Sequence, residues 1–123
     1  MPLIGGAFSG AVSGSTQVNS IPAVGAANGD IVLDFAVYQN FVLTLTDDIT
    51  LVNPVTETIG QSGFIVFIQD TTGGYTVSLG TDFETAGAAG ITLSTAADAY
   101  DIVPYVVKGA NSILLGAPQL AFG

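Results

Sequence analysis

Residues 60–80 read GQSGFIVFIQDTTGGYTVSLG, and the folding of this stretch decides what the chain can be. Phe64, Val66 and Ile68 alternate with Ile65, Phe67 and Gln69, so a strand here has two almost wholly apolar faces. Such a strand belongs in the middle of a sandwich or against another subunit, because half-exposed strands alternate apolar with polar side chains. Asp70-Thr71-Thr72-Gly73-Gly74 follows, with a side-chain acceptor for local backbone donors and two residues free to take positive φ. Tyr75, Val77 and Leu79 then alternate with Thr76 and Ser78, the pattern of a half-buried partner strand. The expectation is a β-hairpin at the centre of an all-β fold.

Toward the N-terminus, Ile31, Leu33 and Phe35 alternate with Val32 and Asp34 just after Gly29-Asp30. In NFVLTLT (40–46), Phe41, Leu43 and Leu45 read as inward, with Val42, Thr44 and Thr46 outward. Asp47-Asp48 is a turn signal, so Ile49 to Val52 is expected to return as the second arm of a hairpin, stopped by Asn53-Pro54. Toward the C-terminus, GTDFETAGAAG (80–90) is a loop whose Phe83 plugs back into the core. Ile91 to Ser94 is a candidate brief strand and Thr95 to Ala99 a bend. Tyr100 to Val107 is the last long strand, and Pro104 within it argues for an edge position or a bulge. Lys108 to Asn111 turns the chain, and Ser112 to Gly116 pairs back. No stretch has the period of an amphipathic helix. About six to eight short strands with frequent turn signals predict an antiparallel β-sandwich, jelly-roll-like, over residues 29–123.

Residues 1–28 are rich in Gly, Ala and Ser and hold no Lys or Arg. A secretory signal would open with basic residues, and a membrane span needs about 20 unbroken apolar positions. The segment reads as a flexible N-terminal arm, with a weak first strand around Thr16 to Ile21 as the other reading. Leu3, Ile4, Phe8, Val12, Val18 and Ile21 are more apolar than a linker without a partner requires. They are the candidate anchor, adding to a partner's sheet edge or filling a groove.

Composition narrows the function classes. The chain has 123 residues, enough for one domain that buries roughly two thirds of its unfolded surface. Only 9% of residues are charged, against about 25% in ordinary soluble domains. Mean hydropathy is +0.63. Either Thr, Ser, Gly and Asn clothe the surface or other subunits cover much of it, and both are expected. The net charge is −9, with Lys108 the lone base. That excludes ordinary phosphate-backbone binding and disfavours an anionic membrane surface. Without cysteine or histidine there is no disulfide, no Ser-His-Asp triad and no His/Cys metal site.

The candidate chemistry reads as structure. Asp47-Asp48 and the pair Asp98, Asp101 lack the alternate-position spacing of a calcium loop, and adjacent aspartates are ordinary turn residues. No two carboxylates are singled out as a hydrolase pair. Gly73-Gly74 and Gly87 to Gly90 are not followed by Lys-Ser/Thr, so neither is a phosphate loop. Tyr75, Tyr100 and Tyr105 are candidates for a sugar-stacking platform, with core or subunit packing the commoner use. No cofactor is expected.

NFVLTLTDDITLVNP, GQSGFIVFIQDTTGGYTVSLGTDF and ITLSTAADAYDIVPYVVKG, in this order, resemble a small β-domain of tailed-bacteriophage structural proteins, including capsid decoration (cement) proteins and the ends of head or tail fibres. The resemblance spans Asn40 to Gly116 and implies a trimeric β-sandwich without catalysis. No shaft-like repeat precedes the domain, which favours a free-standing subunit. The leading expectation is a homotrimer on the outside of a phage head, clamping neighbouring major capsid proteins, with no nucleic acid and no membrane as partner. Val42, Ile65, Phe67 and Tyr105 are the candidate trimer-interface residues. The alternative is a tail-fibre or receptor-binding module for a host surface glycan; a small glycan-acting enzyme is the third.

Overall fold

A computed structural model describes residues 29–123. The arm expected over residues 1–28, with its anchor residues Leu3, Ile4, Phe8, Val12, Val18 and Ile21, lies outside the described residues. The strands are β1 (Gly29–Ile31), β2 (Phe41–Leu45), β3 (Ile49–Leu51), β4 (Ser62–Gln69), β5 (Val77–Leu79), β6 (Phe83–Glu84), β7 (Tyr100–Gly109), β8 (Ser112–Leu115) and β9 (Gln119–Phe122). A single 3-10 turn, Ala86–Ala88, accompanies them, with no α-helix among the described residues.

The first six strands alternate between two sheets. β1, β3 and β5 form a three-stranded sheet, and β2, β4 and β6 belong to a six-stranded one. Gly29 stands opposite Ile49, and Ile49 opposite Val77, all in parallel. Phe41 stands opposite Ile65, also in parallel. The chain therefore winds from sheet to sheet in successive coils. Phe41, Leu43 and Leu45 of β2 and Ile49 and Leu51 of β3 are buried, closing the space between the sheets. Phe35, Phe41 and Tyr105 pack edge-on or tilted at one end of that core, with ring centroids 5.1 to 6.2 Å apart.

Around β7 the six-stranded sheet is antiparallel, whereas β6 joins its far edge in parallel with β8. β7 pairs with β4 on one side and with β8 on the other, and β9 follows β8 along that same side. The β7–β8 hairpin forms where the sequence places it, with Asn111 at φ 58° in its turn. Phe83 is buried as expected, but from strand β6 and not from a loop, since it pairs with Ile113.

Three expectations are corrected. The antiparallel sandwich is a mixed one, because every strand pair among β1 to β5 is parallel. Neither expected early hairpin forms: β2 and β3 lie in different sheets, and so do β4 and β5. The turn chemistry at Asp70 is real, since its Oδ1 accepts from the backbone N–H of Thr72 and Gly73. The chain then packs on the 94–99 segment instead of reversing. Gly74 N–H donates to Thr95 O, and a Cβ on Gly73 would meet Thr95 O at 2.6 Å. A turn pinned sideways in this way delivers the chain to the other sheet.

The third correction concerns Pro104, which sits in a central strand rather than at an edge. Pro104 O accepts from Gly116 N–H, so its ring nitrogen faces the same side. That side is where the partner strand breaks, β8 ending at Leu115 and β9 beginning at Gln119. The missing donor falls in the gap. Gly116 is the residue this arrangement needs, since a Cβ there would lie 2.7 Å from Pro104 Cγ. Ile91 to Ser94 forms no strand, although Leu93 is buried.

Candidate interaction surfaces

β4 and β7 each present one side to the core and the other outward. Ile65, Phe67 and Gln69 of β4, with Asp101, Val103, Tyr105 and Val107 of β7, are buried. The polar members of this inner side are satisfied. Gln69 Nε2 donates to Tyr75 O and Ser94 O, and its Oε1 accepts from Tyr75 N–H. Asp101 accepts backbone N–H bonds from Ser94 and Ala121, each at 2.7 Å. Tyr105 donates its hydroxyl to Gln39 O and accepts from Gln61 Nε2. Burial pushes the Tyr105 hydroxyl above its ordinary range, against the smaller effect of the Gln61 bond.

The outward side is apolar as well. Reading across the sheet, Val42 stands opposite Val66, which stands opposite Ile102. The next row is Thr44, Ile68, Tyr100 and Phe122. Phe64 stands opposite Pro104, and Val106 opposite Leu114. Phe64 is 52% exposed, Phe122 44%, Tyr100 40% and Val106 39%. These rows contain no charged side chain until Glu84 beside Leu114 at the rim. Glu84 is paired there, with Lys108 Nζ at 3.6 Å and the Ser112 hydroxyl donating at 2.6 Å. Those partners, the hydroxyl first, hold the Glu84 carboxyl below its ordinary range, against some opposing burial.

An open groove lies beside β5 and the segment that follows β6, sharing Glu84 with the rim of this face. Ser78, Thr81, Glu84 and Thr85 supply its polar lining, with Phe83 and Ile91 among the apolar part. Next to it, Asn53 clamps the Gly80–Asp82 turn, donating to Thr81 Oγ1 and accepting from Asp82 N–H. The Asp82 carboxyl is held above its ordinary range, by burial first and then by neighbouring Glu57. Glu57 Oε2 is a buried oxygen with no hydrogen-bond partner among the described residues.

Of the four expected interface residues, three are in the wrong place for that role. Ile65, Phe67 and Tyr105 are buried side chains of the chain's own core. Val42 lies on the outward side. Both faces of β4 are apolar in sequence, so alternation alone does not say which one is the core. Phe64, Val66, Tyr100 and Val106 are the outward ones. Their signal was the second apolar face of the central strand. The tyrosine platform does not exist as a trio, because Tyr105 is buried while Tyr100 is on the outer face.

The aspartates weighed as metal ligands hold the backbone. Asp47 Oδ1 accepts from Asp48 N–H, and Asp48 Oδ1 accepts from the N–H and hydroxyl of Thr76. Asp98 takes positive φ, at 61°, in the bend before β7.

No curated protein and no solved structure matches the chain. A family model described as "Putative phage tail fibre C-terminal domain" matches residues 33–112, from the first core leucine to the start of β8. That span is well over half of the chain, and it favours the fibre over the capsid as the setting of this phage structural protein. The chain belongs to that phage tail fibre C-terminal domain family.

Proposed function

We propose that this chain is the terminal, host-facing module of a phage tail fibre, a non-catalytic homotrimer that recognises a surface glycan of the host cell. The observation that carries the reading is the family match across residues 33–112. The polar groove by β5 supports the recognition role. Ser78 on β5 and Thr81 in the clamped turn are exposed hydroxyl-bearing residues, and hydroxyls on a rigid frame suit a neutral, hydroxyl-rich ligand. Asp47, Asp48, Asp70 and Asp101 accept backbone N–H bonds and so serve the fold, which fits a recognition role. Low charge and the apolar outer face support assembly with other subunits, and the acidic balance offers nothing to nucleic acid or an anionic membrane.

The purified chain should bind host cells and compete with phage adsorption. Ser78→Trp, which fills the groove from β5, should abolish competition while leaving the melting temperature unchanged. Copy number in purified particles provides the second reading. A number matching the capsid lattice, with no effect on adsorption, overturns the fibre assignment in favour of a head-decorating role.

A further inference from the structure

The outer face of the six-stranded sheet has the chemistry of an interior and no described residue covers it. We propose that it is the surface through which copies of this chain meet, so that each subunit's Phe64, Val66, Tyr100, Ile102, Val106 and Phe122 pack against the same face of its neighbours. This rests on the homotrimeric fibre reading and adds where the subunits touch. Around a threefold axis, each face meets parts of the other two.

Charge selects a second copy as the occupant. Each chain carries −9, so two copies repel wherever their carboxylates are brought together. The strand rows of this face hold no carboxylate except Glu84, at the rim and already paired with Lys108. Asp30 and Asp48 belong to the elements of the other sheet and its turns, and Asp101 of β7 points inward. A basic partner would be drawn to those other regions and would gain nothing here. Geometry agrees. β4 and β7 are hydrogen-bonded on both sides, so association through this face proceeds by side-chain packing about the threefold axis and not by adding a strand. An uncharged, pleated apolar face is complementary to another of the same kind.

The test uses the full chain, which has no native cysteine or tryptophan. Sedimentation equilibrium at micromolar concentration should give an oligomer of about three chain masses. Val66→Asp should weaken association by roughly thirtyfold or more, as expected for a charge placed at an interface centre. Its circular dichroism should match the wild type. If Val66→Asp does not fold, Phe64→Ser, at a half-exposed position, serves in its place. A Phe64→Cys chain should cross-link between copies with a short bis-maleimide, whereas Thr50→Cys on β3 should not. A monomeric wild type overturns the proposal, including the case in which residues 1–28 cover the face within one chain. An oligomer unmoved by either face substitution, with cross-linking confined to Thr50→Cys, overturns the assigned face. In that outcome the homotrimeric reading still stands, and cell-adsorption competition tests it separately.

Discussion

The inner and outer sides of β4 and β7 differ in closure rather than in apolar content. Ile65, Phe67, Val103 and Val107 on the inner side resemble Phe64, Val66, Ile102 and Val106 on the outer side in size and kind. Inside, however, the apolar rows end in polar groups whose hydrogen bonds are made: Gln69 at one end of β4, Asp101 and Tyr105 along β7. Those bonds tie the sheet to the 75 loop, the 94 segment and Gln39. Outside, the rows end in an ion pair at the rim. Apolarity alone therefore does not identify the core of such a sheet. Buried polar groups with fixed partners do, because leaving them unpaired costs far more than exposing a valine.

The contrast is broken most directly by truncating one phenylalanine from each side. Phe67→Ala should cost about 3–5 kcal/mol in denaturant unfolding, since the cavity opens within the chain's own core. Phe64→Ala should fall within about 0.5 kcal/mol of wild type at the lowest workable concentration, with a loss that grows as concentration rises. Equal, concentration-independent losses at the two positions would show that the outer side is already closed within one subunit.

Much of the fold was legible because alternation is a local property. Phe41, Leu43 and Leu45 are inward as read, Phe83 returns to the core, and the β7–β8 hairpin forms at Lys108 to Asn111. Strand pairing was not legible, because it depends on where a turn is pinned. Asp70, Gly73 and Gly74 have the composition of a hairpin turn, yet contacts with Thr95 and Ala97, distant in sequence, send the chain across to β3. Parallel pairs such as Phe41 with Ile65 leave no turn signature, since their connections are long. Pro104 misled for a related reason. Its missing donor is accommodated by a gap between β8 and β9, and β9 itself was not foreseen in the exposed 119–122 run. The apolar surplus did not say which side of β4 is the core, and Gln69's buried partners identify it.

Closure of the inner side can be tested at its polar ends. Gln69→Leu keeps the volume but strands Tyr75 N–H, Tyr75 O and Ser94 O, and should cost about 2–4 kcal/mol. Amide exchange should accelerate in the 70–76 loop before it does in β2. A neutral outcome would mean that water replaces the carboxamide and that apolar packing alone closes this end. A smaller effect is expected where the backbone itself comes close. A Cβ on Gly63 would meet Gln39 O, and would lie 3.0 Å from the Tyr105 hydroxyl. Gly63→Ala should cost about 1–3 kcal/mol by thermal unfolding, through displacement of the Tyr105–Gln39 bond. The double variant with Tyr105→Phe should then cost less than the sum of the two single ones.

The smallest expected effect contrasts two carboxyls two residues apart, one turned under the fold and one at the rim of the outer face. Asp82 is held above its ordinary range, by burial and then by Glu57. The folded chain therefore keeps this proton more tightly than the unfolded chain does. Its contribution is present below the ordinary carboxylate range and is lost as pH rises through Asp82's own raised value. Glu84 is held below its ordinary range, chiefly by the Ser112 hydroxyl, so its contribution is present near neutrality and lost as pH falls through its depressed value. Asp82→Asn, which imitates the protonated acid and brings a donor toward the buried Glu57 Oε2, should raise the melting temperature by a few degrees near pH 7. That gain should shrink as pH falls through Asp82's raised value, where the parent chain takes up the same proton. Glu84→Gln should do the reverse, a slight loss near pH 7 that disappears in acid, kept small because the Lys108 pair is exposed to solvent. Melting curves of the three chains across that range decide the matter. Parallel displacement of all three at every pH would show that neither carboxyl binds protons differently in the folded chain, and that the turn at Asp82 and the rim at Glu84 are electrostatically alike.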